Sequence, residues 1–125
     1  MRENEVSKKI LDAAIEVHRQ LGPGLLEKTY RLCLAHELKL RGLHCVQEVS
    51  LPLTYKGLRV HDSYRLDLVA ENCVVVELKA VDALHETHKA LTLTSLRTGG
   101  YRLGLLINFN QPRLIDGYVR IANGL

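Results

Sequence analysis

Apolar residues recur at helical spacing in three separate stretches of the chain. The first stretch predicts a helix that ends at the glycine–proline–glycine segment of residues 22–24, and the second predicts a helix that Gly42 ends. Residues 87–98 predict a third helix, closed by the two glycines at 99–100. The stripe of the first helix consists of Val6, Ile10, Ala13, Ala14, Val17 and Leu21, and that of the second consists of Leu26, Tyr30, Cys33, Leu34 and Leu38.

Between the second and third helices, the pattern changes to one of strands. Residues 45–57 (CVQEVSLPLTYKG) alternate apolar and polar side chains, and Pro52 predicts a sheet edge or a bulge there. Two further strands flank a tight turn at residues 71–73, and residues 101–109 (YRLGLLINF) predict an interior strand because they are apolar on both faces. The predicted order is α-α-β-β-β-α-β plus a short C-terminal element. It favours an α/β (α+β mixed) fold in which a mixed sheet is flanked by helices.

Composition narrows the class of protein without naming a function. A chain of 125 residues predicts a single domain over residues 1–125. The net charge of +3 is compatible with a polyanionic partner but does not require one. Cys33, Cys45 and Cys73 are widely spaced and odd in number, which favours small buried residues in a reducing compartment. The charged N-terminus resembles no signal peptide, and no apolar run could span a membrane, so we expect a cytoplasmic protein.

Three charged residues interrupt the apolar strands around the turn at residues 71–73. Asp67 lies in the strand before the turn, and Glu77 and Lys79 lie near the end of the strand after it. Side chains two apart on a strand point the same way, so Glu77 and Lys79 share one face. The opposite face of that strand is wholly apolar and consists of Val74, Val76, Leu78 and Ala80.

The length of the turn decides whether Asp67 and Glu77 meet. A two-residue loop pairs Ala70 with Cys73 and places the two acids on opposite faces of the sheet. A three-residue loop pairs Ala70 with Val74 and sets Asp67 across from Glu77, and a bulge near Asp67 would also bring them together. Facing carboxylates repel, so one takes up a proton or a cation lies between them.

Two interpretations of these charged residues follow. In the simpler one, Glu77 and Lys79 form an ion pair on a strand and Asp67 is solvated. In the other, the two carboxylates hold Mg²⁺, which prefers oxygen ligands, and Lys79 orients a water or stabilises charge developing on phosphorus. The second arrangement is one that cleaves phosphodiesters.

Four sequence segments carry a resemblance to a known family. They are GLLEKTY (residues 24–30), which fits a G-x-x-E-x-x-Y motif, YRLDLV (64–69), VELKAV (76–81) and GLLINF (104–109). With them, the chain from about residue 10 to residue 121 resembles the GxxExxY family of the PD-(D/E)xK nuclease superfamily. The resemblance implies a restriction-endonuclease-like fold and a metal-dependent nuclease.

The resemblance also implies a role for each matching residue. Asp67 resembles the metal-binding aspartate, Glu77 the acid of the (D/E)xK pair, and Lys79 its lysine. Glu27 matches the glutamate of the helix motif, which would lie beside the metal. These four residues are the predicted catalytic group, Asp67 and Glu77 are the predicted metal ligands, and the implied cofactor is Mg²⁺, with Mn²⁺ as the alternative.

One departure from the family pattern concerns the third helix. Intact family members carry Gln and, four residues later, Tyr, where this chain has Leu91 and Ser95. Residues one turn apart face the same way, so both would face the site, and Leu91 cannot hydrogen-bond to a substrate. The alternative to a nuclease is therefore a non-catalytic module of the same fold that binds nucleic acid or a protein.

The remaining candidates concern substrate and partners. Arg65, Arg97 and Arg102 are the predicted substrate-binding residues of a phosphate-binding groove, and the partner is nucleic acid, with DNA and RNA both open. His85 and His88 have a spacing that suits a shared metal, but no third ligand is near in sequence, which favours a solvated helix end. A homodimer is compatible with cutting two strands, but nothing in the sequence fixes one.

Overall fold

The computed structural model describes residues 2–125, except for the side chains at positions 62 and 63. The predicted order of elements is confirmed, and the C-terminal element consists of a short 3₁₀ turn followed by a strand. The helices are α1 (Arg2–Leu21), α2 (Glu27–Leu40) and α3 (Glu86–Gly99); the strands are β1 (Cys45–Tyr55), β2 (Leu58–Ala70), β3 (Val74–Lys79), β4 (Leu103–Asn108) and β5 (Tyr118–Ala122); the 3₁₀ turn is Leu114–Gly117.

The described strands form one mixed sheet in the order β1-β2-β3-β4-β5. The pairing of β3 with β4 is parallel, and the other three pairings are antiparallel. The predictions for β1 are confirmed, since β1 is an edge strand and its register shifts between Leu51 and Leu53, on either side of Pro52. The interior position of β4 is also confirmed, because every one of its residues is buried.

Helices cover both faces of the sheet, so the core has two parts. The larger part lies under α1 and α2, where the predicted stripes are buried, except that Cys33 is half-buried and that Leu21 and Leu26 at the helix ends are exposed. The smaller part lies under α3, which packs closely on β4 because Gly104 has no side chain to hold off Thr92 and Leu96. The smaller part consists of Leu51, Leu66, Val69, Val75 and Leu96.

The alternation along β3 assigns its charged residues to one face. Val74, Val76 and Leu78 are buried in the larger core, as predicted, and Val75 is buried in the smaller one. Glu77 and Lys79 follow Val75 at intervals of two and therefore face α3. The three cysteines are half-buried and free. Within the described residues, no helix combines the length and apolar character needed to cross a membrane.

Candidate active site

The loop between β2 and β3 brings the two predicted metal ligands together. Ala70 pairs with Val74, so the loop has three residues, and the last registered pair of the ladder is Leu68 with Val76. The next residues across from each other are Asp67 and Glu77. Of the two loop lengths that the sequence left open, the structure has the one that places the carboxylates side by side.

Side-chain hydrogen bonds replace the backbone ladder where the two acids meet. The Leu78 N–H donates to Asp67 Oδ2 at 2.8 Å, and the Asp67 N–H donates to Glu77 Oε1 at 3.4 Å. Each acid therefore caps the opposite strand at the point where β2 and β3 part. One backbone N–H thus orients each carboxyl group, which preorganises the pair for a ligand.

A local irregularity in β1 and β2 changes which way the side chains point at Asp67. Glu48 would lie opposite Asp67, but it has a φ of 52° and the pairing skips this position. On β2, Leu66 joins the smaller core while Leu68 joins the larger one, although strict alternation would place both on one face. Alternation is therefore interrupted next to Asp67, and an irregularity of the kind that the sequence offered as an alternative is present.

Crowding of the two carboxylates is visible in the electrostatics of Glu77. The pKa of Glu77 is raised from 4.5 to about 8, mainly because the group is buried, and in addition because of the charge of Asp67 and a hydrogen bond shared with the Asp67 carboxyl group. The Asp67 backbone N–H and the nearby charge of Lys79 act in the opposite direction. Without a cation, the pair therefore tends to hold a proton between its carboxyl groups.

A cavity of about 210 Å³ opens beside these residues, between β3 and α3. Leu91 and Ser95 form part of its wall, so the two helix positions that depart from the family pattern do face the site. Leu91 is 52% exposed and Ser95 is buried. The cavity is lined by Tyr64, Arg65, Glu77, Lys79, His88, Leu91, Thr92 and Ser95.

The chain is also fixed directly beyond Lys79. Asn108, which pairs with Lys79 in the sheet, is fully buried. Its Nδ2 donates to the Val81 carbonyl at 2.8 Å, and its Oδ1 accepts from the Val81 N–H at 3.1 Å. The Lys79 carbonyl accepts from the Phe109 N–H at 2.9 Å. The backbone on the C-terminal side of Lys79 is thus held to β4, which gives the lysine a rigid base.

Glu27 lies exposed in the first turn of α2, and its role stays a prediction. It is not among the residues that line the cavity. One turn later on the same helix, Arg31 Nη1 forms a 3.0 Å ion pair with Glu48, the residue that would lie opposite Asp67. Through this pair, α2 is attached to the irregular part of β1 and β2 where Asp67 lies.

The tyrosine of the helix motif has a structural task. Tyr30 is fully buried and stacks on Phe109 with ring centroids 4.5 Å apart. Its hydroxyl donates to the Gly22 carbonyl at 2.5 Å and accepts from the Leu25 N–H at 3.1 Å. These bonds tie down the loop before α2, and they thereby fix where the helix that carries Glu27 begins.

The three predicted substrate-binding arginines are placed differently from one another. Arg65 lines the cavity. Arg97 lies exposed in the last turn of α3 and is not part of the cavity wall. Arg102 directly precedes β4, at the end of the strand that is far from Lys79. Its guanidinium donates two hydrogen bonds to the Gly124 carbonyl. Only Arg65 is therefore placed to contact a ligand in the cavity.

His88 is a member of the cavity wall that the sequence analysis missed. The expectation was a solvated helix end, and it holds for His85, which is exposed, but His88 is half-buried in the cavity. The available signal was its spacing: His88 lies three residues before Leu91 and so shares its face of α3. Within the described residues, no third His, Cys, Asp or Glu side chain joins the two histidines in a group that could hold an ion.

Comparison with known proteins agrees with the fold. The architecture of a mixed sheet flanked by helices is a restriction-endonuclease-like fold. A family model of the PD-(D/E)XK nuclease superfamily matches residues 4–121, and the chain belongs to this superfamily. Searches of curated proteins and of solved structures gave no match. Membership suggests a nuclease-type function and a nucleic acid substrate.

Nucleases of this superfamily generally depend on a divalent metal ion, and the donors at this site fit one. Asp67 and Glu77 offer carboxylate oxygens, the ligand type that Mg²⁺ prefers. Their mutual repulsion, seen in the raised pKa of Glu77, is the kind that a cation relieves. With two protein ligands, water and substrate would fill the remaining positions, as is usual for Mg²⁺.

Proposed function

We propose that this protein is a Mg²⁺-dependent nuclease that hydrolyses phosphodiester bonds, with Mn²⁺ able to replace Mg²⁺. The observation that carries the proposal is the pair of hydrogen bonds that holds the two acids across the strands, from the Leu78 N–H to Asp67 and from the Asp67 N–H to Glu77, next to a cavity that Glu77 and Lys79 line. The four matching segments also favour assignment to the GxxExxY family within the superfamily. We further propose that the described chain acts as one domain in the cytoplasm.

In the proposed reaction, the oxygen of a water molecule bonds to phosphorus, one P–O ester bond breaks, and the water proton is released while the leaving oxygen is protonated. Asp67 and Glu77 hold the metal, which when bound lowers the pKa of water and polarises a phosphoryl oxygen. Lys79 donates hydrogen bonds to the attacking water or to the phosphate, and it offsets the negative charge that builds up there. Arg65, on the same wall, contacts the backbone of the nucleic acid.

The role of Glu27 in this proposal is to support the metal or its water from α2. Its helix is tied to the Asp67 region through Arg31 and Glu48. Glu27→Gln is the variant that tests this role, with loss of cleavage at unchanged stability as the expected result.

A second candidate function is a non-catalytic module of the same fold. The observation in its favour is that Leu91, 52% exposed, presents an apolar side chain to the cavity where a polar one would contact the substrate. Such a module would bind nucleic acid or a protein without cleaving it.

One assay separates the two functions. The purified protein is incubated with DNA and RNA, single- and double-stranded, in Mg²⁺, Mn²⁺ or EDTA, with Lys79→Ala as the inactive control. We expect cleavage that needs metal and Lys79. The double variant Leu91→Gln with Ser95→Tyr should increase the rate by about tenfold, which corresponds to about 1.4 kcal/mol, within the range of one hydrogen bond to a charged group.

The outcome that favours the binding module is equally definite. A folded parent protein and a folded double variant that both bind metal, but cleave none of these nucleic acids, would contradict the nuclease. Melting of each variant is followed in parallel, because a Gln on an apolar surface could also change folding.

A further inference from the structure

The ring of His88 has no task in the fold beyond the start of its own helix. His88 lies on the third residue of α3, half-buried in the wall of the cavity that Glu77 and Lys79 also line. Its ring Nδ1 accepts a hydrogen bond from the His85 backbone N–H at 2.9 Å. This bond fixes the ring orientation relative to the helix start.

The same bond decides which ring nitrogen can serve a ligand. A neutral imidazole carries one proton, and a ring that accepts at Nδ1 carries it on Nε2. The Nε2–H lies on the far side of the ring from the helix backbone. No protein group accepts this proton among the hydrogen bonds of the described residues. His88 is therefore a hydrogen-bond donor of fixed tautomer in the cavity wall.

The neighbours of His88 on α3 cannot perform this task as well. Leu91, one turn along the helix, has no polar atom in its side chain. The Thr92 hydroxyl is already engaged, since it donates to the His88 carbonyl at 3.0 Å. Ser95 is short and buried. On the side of the cavity that α3 forms, His88 is the longest side chain with a donor directed away from its own backbone.

The size and chemistry of the cavity identify what this donor would contact. A cavity of about 210 Å³ is large enough for a phosphate group with its nearest waters. Within the described residues, His88 belongs to no group of three His, Cys, Asp or Glu side chains that could hold an ion, and its free ring N–H is a donor, which suits an anionic oxygen and not a cation. Lys79 and Arg65 on the same cavity attract the same anion.

We propose that His88 is a substrate-contacting residue that donates its Nε2–H to a non-bridging oxygen of the phosphodiester held against Lys79. This inference rests on the proposed function, because it assigns a role within the same site. The contact orients the phosphate from the α3 side, opposite the charged residues of β3. It is a binding role, and no bond is made or broken at His88.

Two variants separate this contact from the role of His88 at the helix start. His88→Asn places an oxygen near the position of Nδ1, where it can accept the His85 N–H, but it lacks the distal donor. His88→Gln places an amide near the position of Nε2, but it loses the bond to His85. The matched control is His85→Asn, because His85 is exposed and outside the cavity wall.

The measurement is binding of a short fluorescein-labelled DNA duplex, and of the corresponding single strands of DNA and RNA, by fluorescence anisotropy in EDTA, so that no turnover interferes. We expect His88→Asn to weaken binding by about tenfold for the nucleic acid that the parent binds best. His88→Gln should bind within about twofold of the parent, and His85→Asn should be unchanged. With metal, His88→Asn should raise KM more than it lowers kcat.

Each other outcome overturns the assignment. Parent-like binding by a folded His88→Asn variant, together with intact metal-dependent cleavage, removes the role of His88 and leaves the nuclease standing. Binding that falls in both variants in step with their melting temperatures makes His88 a structural residue. A parent protein that neither binds nor cleaves nucleic acid contradicts the nuclease and the His88 contact together.

Discussion

The crowding of Asp67 and Glu77 should make the metal-free protein less stable as the pH rises, and Glu77→Gln should remove this dependence. The pKa of Glu77 is 4.5 as an ordinary carboxyl group and about 8 in the folded protein. Between these two values, the folded protein holds a proton that the unfolded chain has released. The free energy of unfolding therefore falls as the pH rises from about 4.5 to about 8.

The size of the effect follows from the same two pKa values. Each pH unit between them is worth about 1.4 kcal/mol, so the whole interval sets a ceiling of about 5 kcal/mol. We expect about 2 kcal/mol, because Glu77 is partly exposed and the pair can relax and admit water. A glutamine keeps the shape of Glu77 and an oxygen for the Asp67 N–H, and it cannot become charged beside Asp67.

The assay is urea unfolding of the parent and of Glu77→Gln in EDTA, from about pH 5 to about pH 9. The two proteins should be equally stable near pH 5, and the variant should gain about 2 kcal/mol over the parent above pH 8. Asp12→Asn is the charge-matched control, since Asp12 is exposed on α1. Parallel curves for the parent and Glu77→Gln over this whole pH range would refute the reasoning.

Three further predictions test the metal and the supports of the site. Mg²⁺ at a hundredfold excess over its Kd should stabilise the parent by about 2.7 kcal/mol, and Asp67→Asn should abolish this gain, as followed by the melting temperature; a parent indifferent to millimolar metal would contradict the proposed site. Tyr30→Phe should lower the free energy of unfolding by about 1 kcal/mol, because the bonds to Gly22 and Leu25 are lost, and an unchanged urea midpoint would show that these bonds contribute nothing. Gly117→Ala should cost about 2–3 kcal/mol in the same measurement, since its Cβ would collide with the carbonyl oxygen of Asn108; a parent-like midpoint would mean that the turn moves freely.

Much of the fold was determined by the sequence because its signals are local. The stripe from Val6 to Val17 repeats at the helical period, and a helix with one apolar face must bury it against the sheet. An interior strand needs apolar residues at every position, which is why β4 was recognisable. Pro52 marked an edge because it cannot donate to a second neighbouring strand.

For the candidate site, the sequence determined which residues carry the chemistry but not how they are arranged. Asp67, Glu77 and Lys79 could be named from their motif, but the sequence left open whether the acids face each other. The structure decided this through the three-residue loop after Ala70 and through the positive φ of Glu48 on a different strand. Registers and irregularities of this kind depend on both strands at once, so no local pattern specifies them.

His88 shows the same limit on the other wall of the cavity. By sequence it was a polar residue near an exposed helix end, and its spacing to Leu91 fixed only which helix face it shares. Its place beside Glu77 and Lys79 depends on how α3 crosses the sheet, which the contact of Thr92 and Leu96 with Gly104 helps to set. The sequence therefore determined which chemical groups the protein carries. Packing between elements distant in the chain determined which of those groups share a cavity, because this packing depends on many contacts that no single segment contains.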